Sequence, residues 1–130
     1  MKVRVTASAV SLNVDDVPAS SGFLQKHFGF REEMSADGLS SLKRDDAAMN
    51  VIYLRRGLAT RPSDFRDTGA AGVLVVFVVD DLNAEAERLR AEGVVLTHEL
   101  TEEPWGERFL QVTDPNGVIV QLVEWVTPAA

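Results

Sequence analysis

Apolar and polar positions along the chain switch between a strand period and a helix period, and they do so twice in the same order. "VSLNVDDVPASSGFLQKHFGF" from Val10 and "VVFVVDDLNAEAERLRAEGV" from Val75 align without a gap, 65 positions apart. Each begins with a β-branched, apolar run, passes through Val-Asp-Asp, and continues with apolar residues at three- and four-residue spacing. The first helical stretch repeats at Val17, Phe23, Leu24 and Phe28 and the second at Leu82, Ala86 and Leu89. The aspartates stand where a helix start needs a side-chain acceptor for its unpaired amides. Both helices need an apolar surface to cover.

Strand-like runs follow each helix. In the first half they are "FGFREEM", "LSSLKR" and "MNVIYLRR", with a turn at Asp37-Gly38; in the second, "VVLTHEL", "ERFLQVT" and "VIVQLVEW", with a turn at Asp114-Pro115-Asn116-Gly117. The pattern is βαβββ twice, an α+β chain. Residues 57–72 mix Gly, Pro, Ser and both charges without apolar periodicity, which marks a connector. The expected organisation is a single domain over 1–130, with module one at about 1–57, a connector at 58–72 and module two at 73–130. A twofold repeat is too short for an array and points to two modules facing each other across a shared sheet.

Composition narrows the partners. With 130 residues, 45% of them hydrophobic, the chain has material for one ordinary core. A formal charge of −7 disfavours nucleic acid and anionic membranes, which reward clustered Lys and Arg. There is no cysteine, which excludes disulfides and thiolate metal sites. The start "MKVRVTASAVSLNV" lacks the apolar core of a signal peptide, and no run is long enough to span a bilayer. The expectation is a soluble, cytoplasmic protein.

Three segments, "LNVDDVPASSGFLQKHFGF", "VVDDLNAEAERLRAEG" and the closing "PWGERFLQVTDPNGVIVQLVEW", resemble the vicinal oxygen chelate superfamily of glyoxalases, bleomycin-type resistance proteins and extradiol dioxygenases. The resemblance covers nearly the whole chain. It implies paired βαβββ modules forming a cup-shaped mixed sheet with helices outside. It also implies a divalent metal held from the first and last strands of each module. Counted from Val-Asp-Asp and Asp-Pro-Asn-Gly, those positions are Ala9, Tyr53, Leu74 and Gln121. Ala9 and Leu74 have no donor atom, a protonated tyrosine is a poor ligand, and Gln121 offers only a neutral oxygen. A one-residue slip offers Ser8 or Val10 and Val73 or Val75, which does not restore the set. The relatives that lack these ligands are the antibiotic-binding members, which this chain also resembles in its acidity and its Pro-Trp-Gly.

The candidate ligand-binding residues are Asn13, Tyr53, Arg55, Trp105, Gln121 and Trp125. Gln121 shares a strand side with Ile119, Val123 and Trp125, and a buried glutamine there must find partners, in a ligand or in neighbouring backbone. Tyr53 shares a side with Val51 and Arg55, which suits either a flat polar ligand or the core. Arg55 and Arg56 adjoin the connector, and one of them reads as a solvated strand-end charge. Trp105, between a proline and a glycine, is placed to lie over a groove, whereas Trp125 serves ligand or interface equally. His27 closes a helix, where a positive imidazole is favoured, and reads as structural. His98 neighbours Glu99, Glu102 and Glu103, from which another metal or acid–base cluster could be drawn, although a solvated charged loop is the simpler account. No catalytic residue, metal or cofactor is assigned. The expected protein is a metal-free homodimeric binder of a small molecule, an aromatic or cationic antibiotic for example, with a glyoxalase-like lyase, isomerase or dioxygenase relative as the alternative.

Overall fold

The computed structural model describes residues 3–59 and 62–126. The chain divides into two compact units, Met1–Ala71 and Gly72–Ala130. The first contains β1 (Ala9–Val14), α1 (Val17–Phe28), β2 (Arg31–Ala36), β3 (Leu39–Lys43) and β4 (Asn50–Arg55); the second contains β5 (Leu74–Val78), α2 (Leu82–Ala91), β6 (Leu96–Glu102), β7 (Glu107–Thr113) and β8 (Ile119–Trp125). Each is the expected βαβββ module, an α+β unit with a mixed sheet. The strand orders are β1-β4-β3-β2 and β5-β8-β7-β6. In both, the first and last strands run parallel and the other neighbours antiparallel.

Local chemistry sets the element ends. Asp16 accepts from the Ala19 amide at 3.2 Å and Asp81 from the Ala84 amide at 3.0 Å, so each Val-Asp-Asp ends in a helix cap. Such a cap contributes about 1 kcal/mol. Gly29 closes α1 at φ 67°, a left-handed geometry that costs glycine nothing. The Asp114 carboxylate accepts from the Asn116 and Val118 amides at 2.8 and 2.9 Å, which fixes the turn between β7 and β8.

Period-2 alternation gives each sheet two unlike sides. In the first unit Leu12, Val14, Leu42, Val51 and Tyr53 are buried together with Leu24 and Phe28 of α1, which packs on β3 and β4. In the second, Val75, Leu110, Val112, Val120 and Leu122 are buried together with Leu82, Ala86 and Leu89 of α2. The opposite, open side carries Ser11, Asn13, Ser41, Asn50 and Ile52 in the first sheet and Val76, Phe109, Gln111, Gln121 and Val123 in the second. The ladder registers define equivalent positions: Val10 pairs with Val51 as Val75 pairs with Val120. Gln121 is therefore matched by Ile52, and Tyr53 by Leu122.

That match corrects the sequence reading of β4. Tyr53 lies on the helix-covered side, 1% exposed, where its ring fills the core between Leu12 and Ser40. Arg55 shares that side at the strand end and is held by Asp37 of the β2–β3 turn at 2.9 Å. Asn13, on the open side of β1, donates to the Phe65 and Thr68 carbonyls at 3.1 and 3.0 Å and so fastens the connector. Among the described residues, no helix is long and apolar enough to cross a membrane.

Candidate functional site on the open face of the second sheet

β7 and β8 pair across the Asp114–Gly117 turn so that Gln111 stands opposite Gln121, Phe109 opposite Val123, and Glu107 opposite Trp125. On the flanking strands, Val76 is the register partner of Gln121 and His98 that of Gln111. The face is therefore a polar row inside an apolar field. Leu74, Val76 and Val78 of β5 remain 45%, 46% and 64% exposed. Trp105 and Trp125 are exposed at one end.

Four side chains are joined in series. The indole N–H of Trp105 donates to Glu107 Oε1 at 3.2 Å. Gln121 Nε2 donates to Glu107 Oε2 at 3.4 Å, and Gln121 Oε1 accepts from Gln111 Nε2 at 2.7 Å. Gln121 is 8% exposed, and this series satisfies the carbonyl and amide that its burial removes from water. The Glu107 carboxylate thus ties the Trp105 loop to the middle of β8. Beside the series the His98 ring lies over Phe109, with centroids 4.8 Å apart, and its Nδ1 is 2.9 Å from the Glu99 carbonyl oxygen. A carbonyl only accepts, so Nδ1 carries the proton and Nε2 of the neutral ring is an acceptor.

Of the six candidate residues, the structure brings Trp105, Gln121 and Trp125 to this face and places Asn13, Tyr53 and Arg55 in the other unit. Glu107, Gln111 and Phe109 were not singled out from sequence. The acidic cluster around His98 does not form: Glu99 pairs with Arg90 at 2.7 Å, and Glu102 lies 3.5 Å from Arg108. His27 is buried in the last turn of α1, its ring 5.0 Å from that of Phe23.

A concavity of about 740 Å³ lies in the first unit between the start of α1 and the β2–β3 turn. Its charges are already paired. Asp16 caps α1, Glu32 accepts from Ser21 and Ser40, Asp15 faces Arg56 at 3.6 Å, and Arg55 is held by Asp37. The open face of the second sheet, with half-exposed apolar groups around a polar row, is the better platform for a ligand.

The donor set does not fit a divalent metal. With Ile52 replacing Tyr53 as the open-face position of β4, three of the four positions are Ala9, Ile52 and Leu74, none with a donor atom. The fourth, Gln121, has its amide oxygen engaged by Gln111. Among the described residues, no group of three or more His, Asp or Glu is placed to hold a metal ion.

Fold and sequence together define a class. The sequence profile of the Glyoxalase/Bleomycin resistance protein/Dioxygenase superfamily matches residues 6–122, and the chain belongs to that superfamily. It is similar to a glyoxalase/bleomycin resistance protein/dioxygenase from Nocardioides, at 17% identity and TM-score 0.75, covering 100% of this chain and 91% of that one. Lactoylglutathione lyase from Agrobacterium tumefaciens aligns at 20% identity and TM-score 0.73, over 95% of this chain and 96% of that one. TioX from Micromonospora sp. ML1 aligns at 23% and 0.73, over 94% and 100%. At these identities the likeness is one of fold. Comparison with curated proteins finds no match.

Proposed function

We propose that the protein binds a small molecule on the open face of the second sheet without a metal and without chemistry. The observation that carries this reading is the Trp105–Glu107–Gln121–Gln111 series, a fixed polar row on a face where Leu74, Val76 and Val78 of β5 and the rings of Trp105 and Trp125 are exposed. Convergent polar groups in an apolar surround orient a ligand, and the surround supplies its affinity. A flat aromatic body suits Trp105 and Phe109, since ring stacking adds about 0.5–1.5 kcal/mol beyond burial. The finer reading is sequestration of an aromatic or cationic antibiotic in the cytoplasm, in the manner that the bleomycin-resistance branch of the superfamily's name denotes. The net charge of −7 supports a cationic ligand. The lyase reading, which the likeness to lactoylglutathione lyase raises, has less support because the donors for a polarising metal are missing.

The test is a thermal-shift screen of planar aromatic compounds, followed by chemical-shift mapping of the best binder. At a hundred times its Kd, a ligand of the native state adds about 2.7 kcal/mol of stability. Shifts should centre on the Trp105 indole and the side-chain amides of Gln111 and Gln121. Mapping to the first unit would overturn the reading, as would one equivalent of zinc, nickel, iron or manganese in the purified protein. We further propose a homodimer, supported by strand β5, which ends the strand order of the second sheet and leaves an edge that a second copy can pair with. A monomer by sedimentation at micromolar concentration would refute it.

A further inference from the structure

From the hydrogen-bond series we infer that Glu107 is the positioning residue that fixes the polarity of this face, so that it selects ligands presenting an N–H donor. This rests on the proposed binding role of the face. The argument starts with two groups that have no choice of role. An indole N–H only donates, and a carboxylate only accepts. Glu107 receives Trp105 on Oε1, so its Oε2 compels the neighbouring Gln121 amide to turn its nitrogen inward. Gln121 Oε1 then faces Gln111 and compels that amide in the same sense, nitrogen toward Gln121 at 2.7 Å. Two amides that could each flip are thereby set in one direction by a single carboxylate.

The consequence appears at the far end of the row. Gln111 Oε1 accepts no hydrogen bond from another described side chain and is left as the terminal group. Its register partner is His98, whose Nδ1 is engaged by the Glu99 carbonyl and whose Nε2, in the neutral ring, is a second acceptor. Acceptors from adjacent strands, next to the Phe109 ring, form a site for an amide, amine or similar N–H group carried on a flat apolar body. A ligand with only acceptors in the same place leaves those groups unpaired, which is where hydrogen-bonding sites gain their discrimination.

Glu107→Gln does more than weaken the row. The indole N–H still needs an acceptor, so the new amide oxygen turns to Trp105 and its nitrogen to Gln121. Gln121 must then present oxygen inward and nitrogen outward, Gln111 must follow, and the terminal group becomes a donor. The substitution reverses the polarity of the face without changing the shape of any side chain.

The experiment uses a neutral pair with one ring system, 1-naphthamide and methyl 1-naphthoate, so that simple attraction to a charged carboxylate plays no part. For the parent protein the amide should bind about tenfold more tightly than the ester, the discrimination of a single hydrogen bond. In Glu107→Gln this preference should be lost, because the terminal group is then a donor and the carbonyl oxygens of the amide and the ester both accept from it. In the ligand-free spectra of both proteins, the side-chain amide resonances of Gln111 and Gln121 and the Trp105 indole resonance should move together, while backbone amides of α2 and β5 stay in place. Trp105→Phe, which frees Glu107 from the indole but keeps its charge, should preserve the preference for the amide. Equal affinities for the two probes in the parent protein overturn the selectivity while leaving the binding face intact. Unmoved glutamine resonances in Glu107→Gln overturn the positioning role. If neither probe binds at this face, the binding reading fails, and the ligand-free spectra still decide whether Glu107 orders the amides.

Discussion

The open faces of the two sheets spend their polar groups in different ways, although the strands beneath them are connected and ordered alike. On the first, Asn13 is committed to the carbonyls of Phe65 and Thr68, and Ser41 and Asn50 both donate to Glu33 at 3.3 Å. These bonds tie neighbouring strands and the connector together. On the second, the polar groups bond to one another in a row whose last acceptor, Gln111 Oε1, takes no hydrogen bond from another described side chain. Their aliphatic neighbours Val76 and Val78 stay exposed, whereas Leu12, Val51 and Tyr53 on the other side of the first sheet are buried. The helix-covered sides resemble each other because close packing leaves few alternatives there. Open faces carry no such constraint, so one module can use its face for structure and the other for recognition.

Tyr53 is the sharpest place to break this comparison. Its ring is 1% exposed beneath α1, so Tyr53→Ala should leave a large cavity and cost about 3–5 kcal/mol, the range for truncating a buried aromatic residue. Denaturant unfolding checks it. A Tyr53→Ala protein of normal stability that has lost ligand affinity would put Tyr53 on the recognition surface and undo the assignment of sides.

Trp105 should behave in the opposite way. The residue is 61% exposed and its indole N–H donates to Glu107, so Trp105→Ala removes little core. Folding should stay within about 0.5 kcal/mol of the parent, as for a surface substitution. Binding of a planar ligand should weaken by about 2 kcal/mol or more, as at an interface hot spot. Trp125→Phe, which keeps a ring at the end of β8, isolates the Trp105 fluorescence and serves as the control. Unchanged affinity with a melting point lower by several degrees would show that Trp105 is packing.

These two residues also show what the sequence made legible. The helices, their aspartate caps and the turns are written in local signals, because a cap or a turn is made by residues three or four apart. Gln121 was readable because it is the lone polar residue among Val120, Leu122 and Val123. The side of Tyr53 was not, since Val51, Ile52, Tyr53 and Leu54 are all apolar and alternation is silent across them. Glu107 and Gln111 were overlooked as ordinary polar positions on β7. Counting outward from the Asp114–Gly117 turn would have found them, because the pairing of Thr113 with Ile119 sets Gln111 opposite Gln121 and Glu107 opposite Trp125. No such count reaches from Asn13 to Thr68, which lie 55 positions apart with no strand ladder between them.

Asn13 supplies a smaller test of the structural face. Asn13→Ala removes both side-chain bonds to the connector, and exposed bonds of this kind contribute about 1 kcal/mol in all. Hydrogen exchange should quicken at Thr68 and Ala70, whose segment the side chain anchors, while ligand affinity at the second sheet stays unchanged. A loss of affinity equal to that of Trp105→Ala would show that the first face shares in recognition.

The smallest expected effect is the acid response of the first unit. Hydrogen bonds from Arg55, Arg31 and Arg44, reinforced by their charge, hold the carboxyls of Asp37, Asp45 and Asp46 below the ordinary aspartate value. A folded-state value lower than the unfolded one means that the unfolded chain takes up the proton first as pH falls. The contribution is therefore complete above the unfolded value of about 3.9 and is lost as pH drops through the lower, folded values. All three groups are fully exposed, so water and salt screen the pairs and the slope is shallow. Urea midpoints between pH 6 and pH 2.5 should fall, and the Asp37→Asn, Asp45→Asn, Asp46→Asn triple variant should fall less steeply, most visibly at low salt. An identical slope in the triple variant would assign the acid response to other carboxylates and leave these pairs without a role in stability.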